Sequence, residues 1–289
     1  MSGVSGQDAS TAEPVIEQRT GPITLGDHEF QEIREFIYRR AGIHMSTAKR
    51  ALVAGRLEKR LRELGCRGYR EYLDRLRGDA GPGTEVQRAI DLLTTNETYF
   101  FREQKHFAFL AERVLPELQS ASNVRIWSAA CSSGEEPYSV AMLLAEHRGT
   151  KPWAVLATDL SQRVLERAAK GVYPMERAER IPRPYLRAYC LKGVGSQTGN
   201  FSVARKLRDH VSFRRLNLNE ALPGDIGEFD VIFLRNVMIY FDLPTKQALC
   251  KRLLAHLKPG GYFFIGHSET LNGVNSDVAL EAPSIFRRP

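Results

Sequence analysis

The stretch Arg125–Val140, RIWSAACSSGEEPYSV, decides how this chain is read. An apolar strand breaks into small residues, then one glycine and two acids, then a helix, which is the outline of a strand-turn-helix nucleotide site. Pyrophosphate-binding turns such as GxGxxG or GxxxxGK[ST] use several glycines so that backbone N–H groups can wrap the anion at a helix N-terminus. This turn has only Gly134, followed by Glu135 and Glu136. Carboxylates there suit the helix dipole but repel phosphate. The expected ligand is cationic and phosphate-free, as S-adenosylmethionine is with its amino group and sulfonium. The plainer alternative is an ordinary helix start with acids in its first turn.

The chain's 289 residues suffice for one large domain or two ordinary ones, and 43% hydrophobic content is normal for a globular protein. Its longest apolar runs, including Val231–Leu234 and Tyr262–Ile265, fall short of the roughly 20 residues a bilayer crossing needs. The opening MSGVSGQDASTAEPVIEQRTGP lacks the basic and apolar blocks of a secretory signal, and residues 1–22 are expected to form a flexible tail. Cys66, Cys131, Cys190 and Cys250 are scattered without a CxxC pair, and the seven histidines show no HExxH spacing, so neither a zinc nor a disulfide framework has motif support. Unpaired thiols fit a reducing cytoplasm. The net charge of +7 admits nucleic acid, an anionic membrane surface or an acidic protein as partner, and charge alone does not choose.

Residues 23–93 are expected to form a small helical domain. Asp27–Ala41 reads as a helix capped by Asp27, with Phe30, Ile33, Ile37 and Ala41 on one face. A second helix from Ser46 or Thr47 to Leu64 packs Leu52, Val53, Leu57, Leu61 and Leu64 while presenting Lys49, Arg50, Arg56, Lys59, Arg60 and Arg62. Tyr69–Leu76 and Glu85–Leu93 add two more helices around a Gly/Pro loop at Gly78–Gly83. Residues 94–122 join this domain to the next, through TTNETYFFRE and a bridging helix over Phe107–Glu117.

From Asn123 onward the rhythm is strand, helix, strand, which predicts a parallel sheet covered on both faces: an α/β, Rossmann-like architecture over residues 123–289. The expected strands are Val124–Ser128, Trp153–Thr158, Val211–Leu216, Phe229–Leu234 and Gly261–Gly266, with a short edge strand at Ser284–Arg287. Helices are expected at Pro137–His147, from the Ser161 cap to Lys170, and at Thr245–Leu257. Between the second and third strands, about residues 174–210, lies an insertion in which Leu186–Leu191 and Asn200–Arg205 are expected to pair as a β-hairpin around GVGSQTGN.

Ligands of doubly wound sheets sit at the carboxyl ends of the strands near the switch in strand order. Asp159 ends the second strand, 24 positions after Glu135, where an acid can accept both ribose hydroxyl protons. Alternatively, it serves only to cap the next helix. Asn217 and Leu218 leave the third strand, placed to bond the adenine edge and cover its face. Arg235, Asn236 and Tyr240 leave the fourth within FLRNVMIYF, and TTNETYFFRE supplies Asn96, Thr98 and Arg102, the last able to grip a carboxylate bidentately. His267 and Ser268 in GHSE, taken as neighbours on a strand, face opposite ways, and no GxSxG elbow is present, so a hydrolase is not supported.

Five segments, TTNETYFFRE, WSAACSSGEEPYS, ATDLS, RNVMIYFD and LKPGGYFFIGHSE, give the chain a specific likeness. In their order and spacing it resembles the CheR-type chemotaxis methyltransferases, which transfer a methyl group from S-adenosylmethionine to glutamate side chains of chemoreceptors. The likeness runs from about Gly26 to Phe286. It implies a helical N-terminal domain before a Rossmann-like catalytic domain with an inserted β-subdomain, and cofactor contacts from Asn96, Thr98, Arg102, Glu135, Asp159, Asn217, Leu218, Arg235 and Asn236. Tyr240 is implied beside the transferred methyl, with Arg102 and Tyr240 orienting carboxylates. Glu136 is expected only to favour the helix start. The helix bearing Arg56, Lys59, Arg60 and Arg62 matches the element that docks the glutamate-rich methylation helices of the receptor's cytoplasmic domain, where opposite charge favours the fit. The likeness further implies S-adenosylhomocysteine as product, no metal, no nucleic acid and no membrane insertion, and a cytoplasmic monomer. In some members the β-subdomain holds a receptor C-terminal peptide; the glycines of GVGSQTGN suit an incoming strand and also suit a bare turn. The main rival is a nucleic-acid methyltransferase whose basic helix grips phosphates. A module that binds the cofactor without catalysis is a second.

Overall fold

The computed structural model describes residues 23–78, 84–275 and 277–289. The expected tail 1–22 and residues 79–83 of the expected loop lie outside these. Four helices come first: α1 (Asp27–Ala41), α2 (Arg50–Glu63), α3 (Tyr69–Gly78) and α4 (Glu85–Leu93). Phe30, Ile33, Ile37 and Ala41 are the buried face of α1, and Gly42 at φ 70° ends it by donating its N–H to Tyr38 O. The cap is Gly26 and not Asp27, whose carboxylate instead accepts from Arg50. A 3-10 turn at Thr47–Lys49 precedes α2, which buries Val53, Leu57 and Leu61 at four-residue spacing. These helices close around one apolar cluster of their own.

The bridge is less regular than its sequence suggested: α5 (Gln104–Phe109), a π-turn at Leu110–Val114, and the single turn α6 (Leu115–Glu117). Then follow β1 (Val124–Ser128), α7 (Glu135–Arg148), β2 (Trp153–Asp159) and α8 (Gln162–Lys170). The insertion contains β3 (Val172–Pro174), α9 (Arg183–Tyr189), β4 (Cys190–Lys192), β5 (Asn200–Val203) and the short α10 (Arg205–Arg208). The chain returns through β6 (Val211–Arg215), β7 (Phe229–Leu234), α11 (Leu243–Leu254), β8 (Leu257–Ile265), β9 (Ala279–Ala282) and β10 (Ile285–Arg287).

The main sheet has the order β6-β2-β1-β7-β8-β10-β9. Its first five strands are parallel and β10 runs antiparallel to β8 and β9, so the chain is an α/β protein of Rossmann-like type behind an all-helical N-terminal part. Alternate strand residues feed two cores: Ile126, Val155, Val231 and Phe233 face the cluster around α7, while Trp127, Ile232, Phe263 and Ile265 face that around α11. All of β7 is buried, as expected of a central parallel strand. The order reverses at β1, where one branch leads through β2 to β6 and the other through β7 to β8.

Further expectations need correction. The helix expected to run from Thr245 to Leu257 spans Leu243–Leu254, and Leu257 instead opens β8, four residues before the strand start expected at Gly261. Leu186–Tyr189 is helical, so the hairpin pairs only Cys190–Lys192 with Asn200–Val203, and β3 joins it to make a three-stranded sheet of order β3-β5-β4. The strand at Ile285–Arg287 is internal; β9 covers it and forms the edge.

The basic face of α2 is partly committed inside the fold. Arg56 donates to Leu93 O and Thr94 O, satisfying carbonyls at the end of α4. Arg60 grips the mostly buried Glu85, which also accepts from Tyr72 Oη at 2.9 Å. Arg62 pairs with Glu58 on the surface, and Lys59 is exposed. Arg60→Ala is therefore expected to lower unfolding free energy in urea by about 2 kcal/mol, because Glu85 loses its guanidinium. Lys59→Ala should stay within about 0.5 kcal/mol of the parent chain. Equal losses in the two variants would refute this division of the face.

Candidate active site

A cavity of about 340 Å³ opens at the carboxyl ends of β1, β2, β6 and β7. Ala129, Ala130 and Ser132 come from the turn after β1, Asp159 and Leu160 from β2, Leu216, Asn217 and Leu218 from the loop after β6, and Arg235 and Asn236 from the end of β7. Asn96, Thr98 and Arg102 of the linker close one side, while Met45, Lys49 and Leu52 of the helical part with Tyr240 close another. Every expected cofactor or catalytic position except Glu135 thus reaches the cavity wall.

The turn after β1 is held from beneath. Thr158 Oγ1 accepts from Trp127 Nε1 and donates to Ala129 O, and the N–H of Cys131 reaches Thr158 O. Gly134 adopts φ 96°, and a Cβ there would sit 2.8 Å from both Ala168 Cβ and Tyr173 Oη, so glycine is required for packing as well as for conformation. Asp159 accepts from Ser132 N and Ser161 N, both at 2.9 Å. Burial pushes its carboxyl up to about 6, against the pull of those N–H groups.

The two acids of the turn divide differently from the sequence expectation. Glu135 is fully buried, accepts from Ser133 Oγ at 2.7 Å and is ion-paired with Arg177 of the insertion. Burial raises its pKa despite those partners. Glu136 reaches the wall, accepting from Ser128 Oγ at 2.6 Å and from Arg235 at 2.8 Å. The Arg235 side chain, 2% exposed, also pairs with Glu103 at 3.0 Å and donates to Arg102 O. Asn236 Nδ2 reaches Glu103 Oε1 at 3.1 Å, and the backbone N–H of Asn236 donates to Glu269. Phe101, Glu103, Ser132 and Asn236 all have positive φ, a concentration of strained backbone at one place.

On the helical side, Asn217 Nδ2 donates to Arg40 O and Glu220, Tyr38 Oη donates to Asp242, and His44 N donates to Tyr240 O. Lys49 Nζ stands 5.3 Å from the Tyr240 ring centre, and Arg102 lies over Tyr99. His267 and Ser268 occupy an exposed turn beyond β8 instead of the strand assumed for them.

Residues 96–284 match the family described as CheR methyltransferase, SAM binding domain, and residues 28–94 match the CheR methyltransferase all-alpha domain. The chain belongs to the CheR methyltransferase family. It is 45% identical over 262 residues to chemotaxis protein methyltransferase 2 of Pseudomonas aeruginosa, covering 90% of this chain and 92% of that one. The chemotaxis protein methyltransferase of Escherichia coli is 41% identical over 271 residues, with 93% of each chain covered. Among solved structures, TrmN from Thermus thermophilus overlaps with a TM-score of 0.35 at 19% identity, over 62% of this chain and 46% of that one.

As a member of the family, the chain is an S-adenosylmethionine-dependent methyltransferase. The donor set fits this cofactor: an acid at the β2 end for the ribose, leucines on both sides of the cavity for the adenine, and carboxylate but no phosphate cradle at the turn. Sequence reasoning missed Glu103, Arg177 and Lys49 as parts of the site. Glu103 was visible in the linker motif; the pairing of Arg177 with an acid 42 positions earlier had no sequence signal. Arg235→Ala leaves Glu103 and Glu136, 13% and 12% exposed, without their shared cation. A loss of about 3–5 kcal/mol in urea unfolding is expected; a loss below about 1 kcal/mol would show the brace to be dispensable.

Proposed function

We propose that this protein methylates glutamate side chains of chemoreceptor cytoplasmic domains, forming glutamate methyl esters and S-adenosylhomocysteine. The observation that carries this reading is the junction of a methyl-donor cavity with a wall from the helical part, where Lys49, Arg102 and Tyr240 meet. An incoming carboxylate finds two cations there. With a pKa of about 4.3, a glutamate is already ionised at neutral pH, so it can attack in line without a general base. The bound donor supplies an electrophilic methyl on a sulfonium, and its C–S bond breaks as the ester C–O bond forms. The protein's share is alignment: Asp159, Asn217 and Leu218 hold the nucleoside part, Asn96, Thr98, Arg235 and Asn236 shape the wall, and Arg102 and Tyr240 orient carboxylates. Glu136 stands at the wall for the donor's ammonium, and Glu135 joins it only when its pair with Arg177 opens.

Lys59 and Arg62, the outward cations of α2, are the docking residues for an acidic receptor helix, with Arg56 and Arg60 stiffening the face behind them. Internal use of those two arginines leaves fewer cations for a phosphate backbone, which weighs against a nucleic-acid substrate. The outer edge of β4 favours one further partner: Leu191 is 60% exposed beside a strand edge that no other described strand pairs with, and a receptor tail peptide could add there as a strand. The protein would act as a monomer in the cytoplasm.

Incubation with labelled donor and receptor cytoplasmic fragments should give label that mild base releases, as a carboxyl ester does. Base-stable label, or label on RNA, would overturn the reading. Because protonation removes the charge of Asp159 and weakens it as an acceptor of ribose hydroxyls, affinity for S-adenosylhomocysteine should be level above about pH 6 and fall, by at most tenfold per unit, below it. Asp159→Ala should weaken binding and flatten that profile in calorimetric titrations. An unchanged affinity in this variant would remove Asp159 from the site.

A further inference from the structure

Outside the cavity, three side chains from two distant segments converge. Glu103 and His106, three residues apart at the start of α5, meet His267 in the turn beyond β8. One ligand atom from each lies within 4.8 Å of the others. His106 Nδ1 is 3.3 Å from Glu103 Oε2, and His267 Nε2 is 4.0 Å from the same oxygen. The imidazoles meet edge to face with centres 4.6 Å apart.

A second observation points to a missing partner. His106 is 1% exposed, and among the described residues neither of its ring nitrogens makes a hydrogen bond. The 3.3 Å approach to Glu103 is not a hydrogen bond. Buried polar atoms are almost always satisfied, so an imidazole with both nitrogens bare beside a carboxylate and a second imidazole needs an explanation. We propose that Glu103, His106 and His267 form a binding site for one divalent transition-metal ion of the zinc class.

Two imidazole nitrogens and one carboxylate oxygen are a donor set for zinc and its neighbours, whereas magnesium and calcium favour all-oxygen shells. Tetrahedral zinc with bonds near 2.0–2.1 Å spaces its ligands about 3.3 Å apart. The His106–Glu103 edge already has that length, and the exposed His267 needs only to swing closer. A carboxylate oxygen has lone pairs for both an ion and the hydrogen bond from Arg235, so the existing ion pair becomes an outer support of the site. Glu103 and His267 also line a solvent-open hollow with Tyr99, Gln104, Lys105 and Arg180, from which water or an anion could complete the shell. No helical metal motif announces this site because its third ligand lies 161 positions after His106. An ion there would pin the carboxylate that holds Arg235 and Asn236 at the cavity wall, although the inference does not depend on the methyl-transfer reading.

The test is calorimetric titration of zinc chloride into the full chain, without a histidine tag and previously stripped with chelator. One equivalent should bind saturably to the parent chain. His267→Ala, on an exposed turn that leaves the fold intact, should bind at least about tenfold more weakly, and His106→Ala should do the same if circular dichroism shows it folded. His28→Ala removes a surface His–Glu pair, 2.9 Å apart, that could also attract zinc, and it should bind like the parent. Absence of saturable binding to the parent would overturn the proposal. So would parental affinity in His267→Ala, or a loss of binding confined to His28→Ala.

Discussion

The buried Arg235 guanidinium is the constraint on which the cavity depends. It leaves the end of β7 and reaches Glu136 at the start of α7 and Glu103 at the start of α5, adding ion pairs to three segments whose Phe107, Tyr138 and Phe233 already share one apolar cluster. A cation taken so far from water is costly unless paired, and the two carboxylates gathered with it would repel each other without it. Each charge is therefore stable only where the others are. This mutual dependence positions the wall more rigidly than apolar contact, which tolerates sliding. It also accounts for the backbone strain nearby: Glu103 and Asn236 both adopt positive φ, and their side chains bond each other at 3.1 Å. Asparagine enters that conformation easily, whereas glutamate does so at a cost that the Arg235 pair and the Asn236 bond offset.

Much of the fold was legible because burial leaves a pattern. Five parallel strands covered on both faces appear as apolar runs, and Val124–Ser128 and Phe229–Leu234 match the structure at both ends. Failures occurred where burial is incomplete. Leu186–Tyr189 carries only Tyr189 as a strand-favouring residue, while Leu186, Arg187 and Ala188 are good helix formers and Pro184 suits a helix's first turn, so the segment is helical. The edge strand Ala279–Ala282 is largely exposed and has no apolar signature. Element type follows from which faces meet water, and short segments on a rim leave that undetermined.

The site was legible by place more than by partner. Position at a strand's carboxyl end identified Asp159, Asn217, Arg235 and Asn236 from sequence, because topology alone sends those residues to the cavity. What each side chain holds was hidden. The structure spends Asn217 on Arg40 and Glu220, Arg60 on Glu85, and Glu135 on Arg177, and each of these contacts joins residues at separations that no periodicity encodes. Local spacing fails for the same reason to reveal the cluster of Glu103, His106 and His267.

These hidden contacts determine how the two parts of the molecule communicate. The helical part touches the cavity through Asn217 to Arg40 O, Tyr240 O to His44 N and Tyr38 to Asp242, so loops that leave β6 and β7 at one end rest on α1 and its following turn at the other. A partner that shifts α1 or α2 must therefore shift the walls around the donor as well. A ligand that ordered those walls would, by linkage, favour the same placement of the helices. Alignment is the main task left to the protein when the nucleophile arrives already ionised, and these hydrogen bonds hold the loops after β6 and β7 against the helical part.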